Sequence, residues 1–282
     1  MNIVITGASA GIGKAYVKTF CQHGHMVLAV ARRKGRLQAL SQEMADLYSA
    51  VVHILDLDLT SAGASQTLLD EAVMVFGKVH VLINNAGMSP YQEFQELELY
   101  HLRQIIALNI QSLTELCHKF IPHMLSHGEP SHVVNVGSAG GYAPLPYFSV
   151  YTGSKHYVRI FTNFLRHEYR DSNVKVSAVH PGGVLTEFAE LAGQRIKEST
   201  KKAMMTAEEM AEKTYPAIMK GKRVTVPGGI YKISVLLGKL IPFPLMFQIM
   251  NLIYNQSMDK VDPTYPVQAS MEPHKDVDLE DQ

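Results

Sequence analysis

The sequence predicts an α/β protein: one doubly wound, mostly parallel sheet of seven strands with helices on both faces. Three observations predict it. Short β-branched runs alternate with helix-length amphipathic segments along most of the chain, and that alternation implies βαβ crossovers. Several strand-like runs are apolar at consecutive positions, as strands covered on both faces must be. No solenoid-length internal repeat competes with this pattern.

The first strand is read at 2–6 ("NIVIT"), followed by a glycine-rich turn and a helix over 11–23. Further strands are read at 26–31, 51–57, 80–84, 132–136, 175–180 and 223–227. Helices are read at 62–76, 98–125, 151–170 and 206–219, where apolar residues recur at helical spacing. These elements make a single domain over 1–228, closing near Pro227-Gly228. An apolar extension follows at 229–256. Within it, Gly238 and Pro242-Phe243-Pro244 divide 230–254 into pieces of about 12 residues, whereas a membrane-spanning helix needs about 20 apolar residues in a row. Three roles are open to it: a cap over the substrate cleft, a dimer contact, or a helix lying on a membrane surface. Lys232 and Lys239 would share one helix face there. The remainder, 257–282, is acidic, contains proline and has few large apolar residues, which predicts a mobile tail.

Composition narrows the function classes. The 26 Lys+Arg balance 26 Asp+Glu, so no basic field exists to gather nucleic acid. Cys21 and Cys117 fall in helix-like stretches and read as buried thiols of a reducing compartment. The opening "MNIVITG" enters a strand at once, without a secretory leader. A cytoplasmic protein is expected, peripheral to a membrane if 230–254 lies on one. The 13 histidines show neither HExxH spacing nor an accompanying cysteine pair, so no metal site is expected.

Three stretches carry chemistry. In "VITGASAGIGKA", Gly7, Gly11 and Gly13 let the backbone turn tightly after the first strand and approach a pyrophosphate, which the next helix meets with free N–H groups. At the end of the second strand, Ala31 stands where an acid would accept the ribose hydroxyls of NAD, and Arg32, Arg33 and Lys34 follow. Cations are disfavoured at a helix N-terminus. A 2′-phosphate clamped by charge-assisted hydrogen bonds would resolve that conflict. NADP(H) is therefore expected, with Arg32 as main contact and Arg33 second; NAD(H) is the weaker alternative. Farther on, "VYTGSKHY" sets the phenol of Tyr151 four residues before the ammonium of Lys155, one above the other on a helix face. A cation there would favour the phenolate and lower the tyrosine pKa from about 10.

Together these residues resemble the short-chain dehydrogenase/reductase family through most of 1–228. The family's motifs stand as Thr6-Gly7-x-x-x-Gly11-x-Gly13, Asn84-Asn85-Ala86-Gly87, Asn109, Ser138, Tyr151-x-x-x-Lys155 and the Pro181-Gly182 segment. Departures are mild: Thr152-Gly153 between the tyrosine and lysine, and Gly183 after Gly182. The resemblance implies a Rossmann-type fold in which Gly7, Ser9, Gly11, Ile12 and Gly13 cradle the cofactor. Asp58 and Leu59 would meet the adenine, with Asp56 a rival for that contact. Asn85, Ala86 and Gly87 would line the adenosine-ribose side, and Pro181, Gly182, Val184 and Thr186 the nicotinamide and its carboxamide.

The chemistry so implied is hydride transfer between a nicotinamide and a carbonyl carbon. Tyr151 would give or take the proton, Ser138 would hydrogen-bond the same oxygen, and Lys155 would hold the ribose and lower the Tyr151 pKa. Asn109 would order a water relaying protons to Lys155. For substrate contacts, the loop after Ser138 offers Tyr142, Leu145, Tyr147 and Phe148, and the segment after the Pro-Gly motif offers Leu185, Phe188 and Leu191. Their apolar character suits a lipophilic ketone, aldehyde or secondary alcohol. The resemblance also implies a homodimer or homotetramer paired through the long helices near 98–125 and 151–170. A catalytically silent NADP(H)-sensing or scaffold protein on the same fold is the alternative. Such proteins commonly lose the tyrosine or the lysine, and both are present here.

Overall fold

In the computed structural model, which describes residues 1–202 and 204–257, β1 (Asn2–Thr6) runs through the centre of the sheet with all five residues buried. Around it stand β2 (Met26–Ala31), β3 (Val52–Asp56), β4 (Val81–Asn84), β5 (Ser131–Val136), β6 (Val174–Val179) and a short edge strand, Val224–Thr225. Their order is β3-β2-β1-β4-β5-β6 and then the edge strand, and every pairing is parallel. The seven strands expected from the sequence are therefore all present. The edge strand is only two residues long, whereas the sequence suggested 223–227.

Alternate strand residues explain the apolar runs. Ile3, Ile5, Val27, Ala29, Val81 and Ile83 point to one face and pack beneath α1 (Gly11–Gln22), α2 (Lys34–Tyr48) and the helix at Ala207–Met219. Val4, Leu28, Val30, Leu82 and Val133 point to the other and meet α3 (Ala64–Phe76) and the two long helices. A period-two strand with both faces covered needs an apolar residue at every position.

The stretch read as one helix over 98–125 is three pieces. It comprises α4 (Leu99–Ile106), a π-helical turn at Ala107–Ser112, and α5 (Leu113–His127). Asn109 lies in that wide turn, the kind of local widening often found at functional sites. The helix carrying Tyr151 and Lys155 is α6 (Ser149–Glu168). Sequence order jumps at β1: the chain crosses from β3 at one edge back to β4 on the other side of β1. A crevice opens beyond the strand ends at such a switch point.

After β6 come β7 (Val184–Leu185), α7 (Glu187–Leu191), α8 (Glu198–Lys201) and β8 (Met205–Thr206), which pairs with β7. Then α9 (Ala207–Met219) begins with a reciprocal cap between Thr206 and Glu209, and the edge strand of the sheet is β9. The apolar extension forms α10 (Gly229–Leu240) and α11 (Phe243–Ser257), separated at Ile241-Pro242. Among the described residues no helix is long and apolar enough to cross a membrane. The tail expected at 257–282 lies, from 258 on, outside the described residues.

Candidate active site

The glycine turn closes tightly against the end of β4. Gly7 has φ +66°, and a Cβ there would sit 2.9 Å from the Ala86 Cα. A Cβ on Gly13 would collide with the Gly7 carbonyl oxygen and the Asn85 side chain. Gly13 thus serves helix-to-strand packing and does not itself line the cleft, whereas Gly7, Ser9, Gly11 and Ile12 do. No side chain caps the start of α1, so its first N–H groups face the cleft ready for an anion.

Opposite the turn, Thr6 pins Asn85 and Ala86. Its hydroxyl accepts from both backbone N–H groups at 3.0 and 3.1 Å, while Asn85 Nδ2 donates to the Thr6 carbonyl at 2.9 Å. Next to this, Asn84 Nδ2 donates to Asn135 Oδ1 and Asn135 Nδ2 donates to Thr162 Oγ1, both at 2.9 Å. These buried contacts join β4, β5 and α6. Asn85, Ala86 and Gly87 all line the cleft.

At the outer end of β2, the arginines already have partners. Arg33 donates through Nε and Nη2 to Ser9 Oγ (3.1 and 3.0 Å) and pairs with Glu187 at 2.6 Å. Arg36 reaches the same Glu187 at 2.7 Å. Burial pulls the Glu187 pKa up, but hydrogen bonds and charge from Arg36 and Arg33 outweigh it and hold the carboxyl below its usual range. Arg32 lies 3.6 Å from Asp58, and both line the cleft with Leu59. Asp56 is not among the lining residues; it lies 3.7 Å from Lys34.

Deeper in, the structure brings Ser138, Tyr151 and Lys155 to one wall of the cleft. Burial pushes the Tyr151 phenol up, and a hydrogen bond with Ser138 opposes that. Burial pushes Lys155 down to about 8, and its Nζ donates to the Val136 carbonyl at 3.0 Å. The sequence-based expectation that Lys155 lowers the Tyr151 pKa is not met. The amine is 5.6 Å from the phenol's ring centre and turned to a backbone carbonyl, so desolvation dominates both groups. Asn109 does not line the cleft. Its Oδ1 accepts from Met88 N at 3.0 Å, and its Nδ2 donates to the Met88 carbonyl (2.9 Å) and to Ser154 Oγ (3.1 Å). Across Gly87 it neighbours the Lys155 amine: a Cβ on that glycine would lie 3.3 Å from Asn109 Oδ1 and 3.6 Å from Lys155 Nζ.

Pro181, Gly182, Val184 and Thr186 border the same region. The Pro181 carbonyl accepts from Ala139 N at 2.7 Å, holding this segment against the Ser138 turn. The glycine pair has a packing reason that one sequence does not reveal: side chains at Gly182 or Gly183 would overlap Tyr231 of α10.

Of the expected substrate residues, Leu145, Phe148, Phe188 and Leu191 line the cleft. Tyr142, Tyr147 and Leu185 do not. The short turn after Ser138 directs Tyr142 under the Arg159 guanidinium and edge-on to His180, at 4.7 and 5.0 Å. Tyr147 has φ +63° and packs on Tyr91. Leu185 follows inward-facing Val184 on a strand and so points outward, 39% exposed. Sequence reasoning missed Met88, Glu187, Tyr231, Ser234, Met250 and Tyr254, all of which line the cleft. The spacing of 231/234 and of 250/253/254 is that of a helical stripe, but spacing alone does not say what a stripe faces.

The cleft has a volume of about 1200 Å³ and runs without a break from the glycine turn to α10 and α11. The glycine cradle, the uncapped α1 N-terminus and the arginines fit a dinucleotide phosphate. Among the described residues, no cluster of His, Cys, Asp or Glu could hold a metal.

Comparison with known proteins gives the following. The profile of the family described as short chain dehydrogenase matches residues 1–197. Sulfoacetaldehyde reductase 2 of Chromohalobacter salexigens is 34% identical over 187 residues, which is 66% of this chain and 73% of that protein. A short-chain dehydrogenase from Sphingobium yanoikuyae, solved in complex with NADPH, superposes with TM-score 0.75 at 30% identity, covering 85% of this chain and 93% of that one. A short-chain dehydrogenase/reductase from Burkholderia phymatum in complex with NAD gives TM-score 0.75 at 25% identity, covering 84% and 92%.

Proposed function

The chain belongs to the short-chain dehydrogenase family of oxidoreductases, and from that membership we propose that it is an NADP(H)-dependent reductase of lipophilic ketones or aldehydes. The same site would oxidise the corresponding secondary alcohols. One observation carries the reading: Ser138, Tyr151 and Lys155 share one wall of a cleft continuous with the glycine cradle and the arginine cluster.

NADP(H), when bound, supplies or accepts the hydride. Its pyrophosphate would rest on the Gly7–Gly13 turn and its 2′-phosphate between Arg32 and Arg33. Asp58 and Leu59 would flank the adenine, Asn85 to Gly87 the ribose, and Pro181, Val184 and Thr186 the nicotinamide. The protein's own chemistry is at the carbonyl oxygen. Tyr151 delivers a proton there as negative charge develops, and the Ser138 hydroxyl donates a hydrogen bond to the same atom. The Lys155 amine, which donates to the Val136 carbonyl, would hold the ribose. Asn109, bound to Met88 and Ser154, sets the position of the loop that carries Gly87. Leu145, Phe148, Phe188 and Leu191, together with Met250 and Ile253, make the substrate end apolar, which favours a lipophilic compound.

Titration of NADPH fluorescence followed by a screen of ketones and aldehydes for loss of NADPH absorbance tests this. Tyr151→Phe is expected to cut turnover by about 10²–10⁴-fold while leaving NADPH binding in place. Tight NADPH binding with no turnover on any carbonyl compound would instead assign the chain to nucleotide sensing.

A further inference from the structure

Eleven of the twenty-six exposed large apolar side chains of the described residues fall within 230–253, on α10 and α11. Elsewhere such residues are scattered, which needs no explanation; a concentrated patch marks an interaction surface. Both helices are apolar on two sides. On α10, Tyr231, Ser234, Val235 and Gly238 recur at helical spacing and face the protein: the first two line the cleft, Val235 is buried, and Gly238 packs against Tyr142. Ile233, Leu236 and Leu240 recur on the outer side, 61, 55 and 71% exposed. On α11, Met246 is buried and Met250 and Tyr254 line the cleft, while Phe243, Phe247 and Leu252 stay exposed.

The charges on this surface choose its occupant. Residues 229–257 contain no Asp or Glu; their charged side chains are Lys232 and Lys239, the latter with its ammonium 5.4 Å from the ring centre of Tyr142 at the edge of the patch. A two-fold dimer would place the same patch on itself, bringing Lys232 towards its own copy with no carboxylate of 229–257 to oppose it. An anionic lipid surface supplies the missing charge. Apolar side chains entering the acyl boundary with lysines at headgroup level is how short helices lie in a bilayer interface. Neither helix is long enough to cross.

We infer that the outer face of the α10–α11 hairpin docks on an anionic bilayer. Ile230 and Ile253 are exposed on this patch and also line the cleft, so the cleft mouth opens at the lipid boundary. Docking itself does not depend on the proposed reaction. Delivery of substrate from the lipid does rest on that reading.

Co-sedimentation of the full chain with vesicles of pure phosphatidylcholine, and of phosphatidylcholine mixed with phosphatidylglycerol, tests the docking. The protein should sediment with the mixed vesicles and stay in solution with the neutral ones. Lys232→Ala should weaken binding about fivefold, the worth of one lysine near an anionic surface. The double variant Leu236→Asp/Leu240→Asp should lose more than roughly tenfold, with melting temperature and NADPH affinity unchanged. Equal binding to both vesicle types, or to neither, overturns the inference. So does a dimer that binds no vesicles and that Leu236→Asp dissociates, which would assign the patch to a second copy. A chain that sediments as expected but reduces no carbonyl keeps the docking and removes only the reaction.

Discussion

At the scale of single residues, Lys155 is the group expected to set the pH response. A buried lysine with a depressed pKa keeps its ammonium below that pKa and loses it above. With Lys155 brought down to about 8, catalysis that needs its charge should decline as pH rises through that point. Tyr151 is shifted upward, so its own deprotonation lies higher and does not produce this limb. A profile of kcat/KM against pH reads the free enzyme; a flat course through pH 8 would refute the assignment to Lys155.

Glu187 gives a second residue-scale prediction. Its carboxylate, which lines the cleft beside Arg33, pairs with Arg33 and also with Arg36 outside the lining, where a 2′-phosphate would approach. A negative charge there opposes NADPH more than NADH. Glu187→Gln should therefore raise the NADPH-over-NADH affinity ratio by roughly two- to tenfold, the range for a partly exposed charge. Fluorescence titration with both cofactors measures it, and an equal change in the two affinities would count against it. None of this could be read from the run Arg32-Arg33-Lys34. Sequence proximity shows which charges gather, while the partner of Arg33 comes from more than 150 residues downstream.

Among elements, legibility followed the range of the interaction. The strands, the glycine turn and the Tyr151–Lys155 pair rest on spacings of two to six residues and were readable. Asn109 was singled out by its motif, but the π-helical turn around it interrupts a stretch whose apolar spacing reads as one unbroken helix. Tyr142 was misplaced because a three-residue turn, Ala139–Gly141, decides which way it faces. The docking of α10 on the Pro-Gly segment was hidden for a further reason: a glycine in sequence does not announce the ring that fills its missing side chain. Gly182→Ala should destabilise the protein by about 1–3 kcal/mol through overlap with Tyr231. In the double variant with Tyr231→Ala, most of that loss should disappear. Thermal or urea unfolding of the four species gives the coupling, and additive effects would mean that the contact is not the cause.

For the whole molecule, the pairing expected through the long helices has a visible candidate surface. Ile160 and Phe164 lie one turn apart on α6, 46 and 64% exposed, and Ile106 at the end of α4 is 42% exposed. Phe164→Glu should turn a dimer or tetramer into a smaller species in sedimentation velocity with kcat little altered. An unchanged sedimentation coefficient would place assembly elsewhere. This surface is on elements other than the α10–α11 hairpin, so pairing through Ile160 and Phe164 would leave the hairpin's outer face to be tested on its own.

The amide chain from Asn84 through Asn135 to Thr162 has a bearing on how the two halves of the cleft stay matched. Hydrophobic strands tolerate sliding, since one valine packs much like the next. Buried amides do not, because a slip of one position would break the Asn84–Asn135 and Asn135–Thr162 hydrogen bonds. The strand that ends beside the glycine turn and the helix that bears Tyr151 are thus keyed to a common depth, like two rules fixed by one pin.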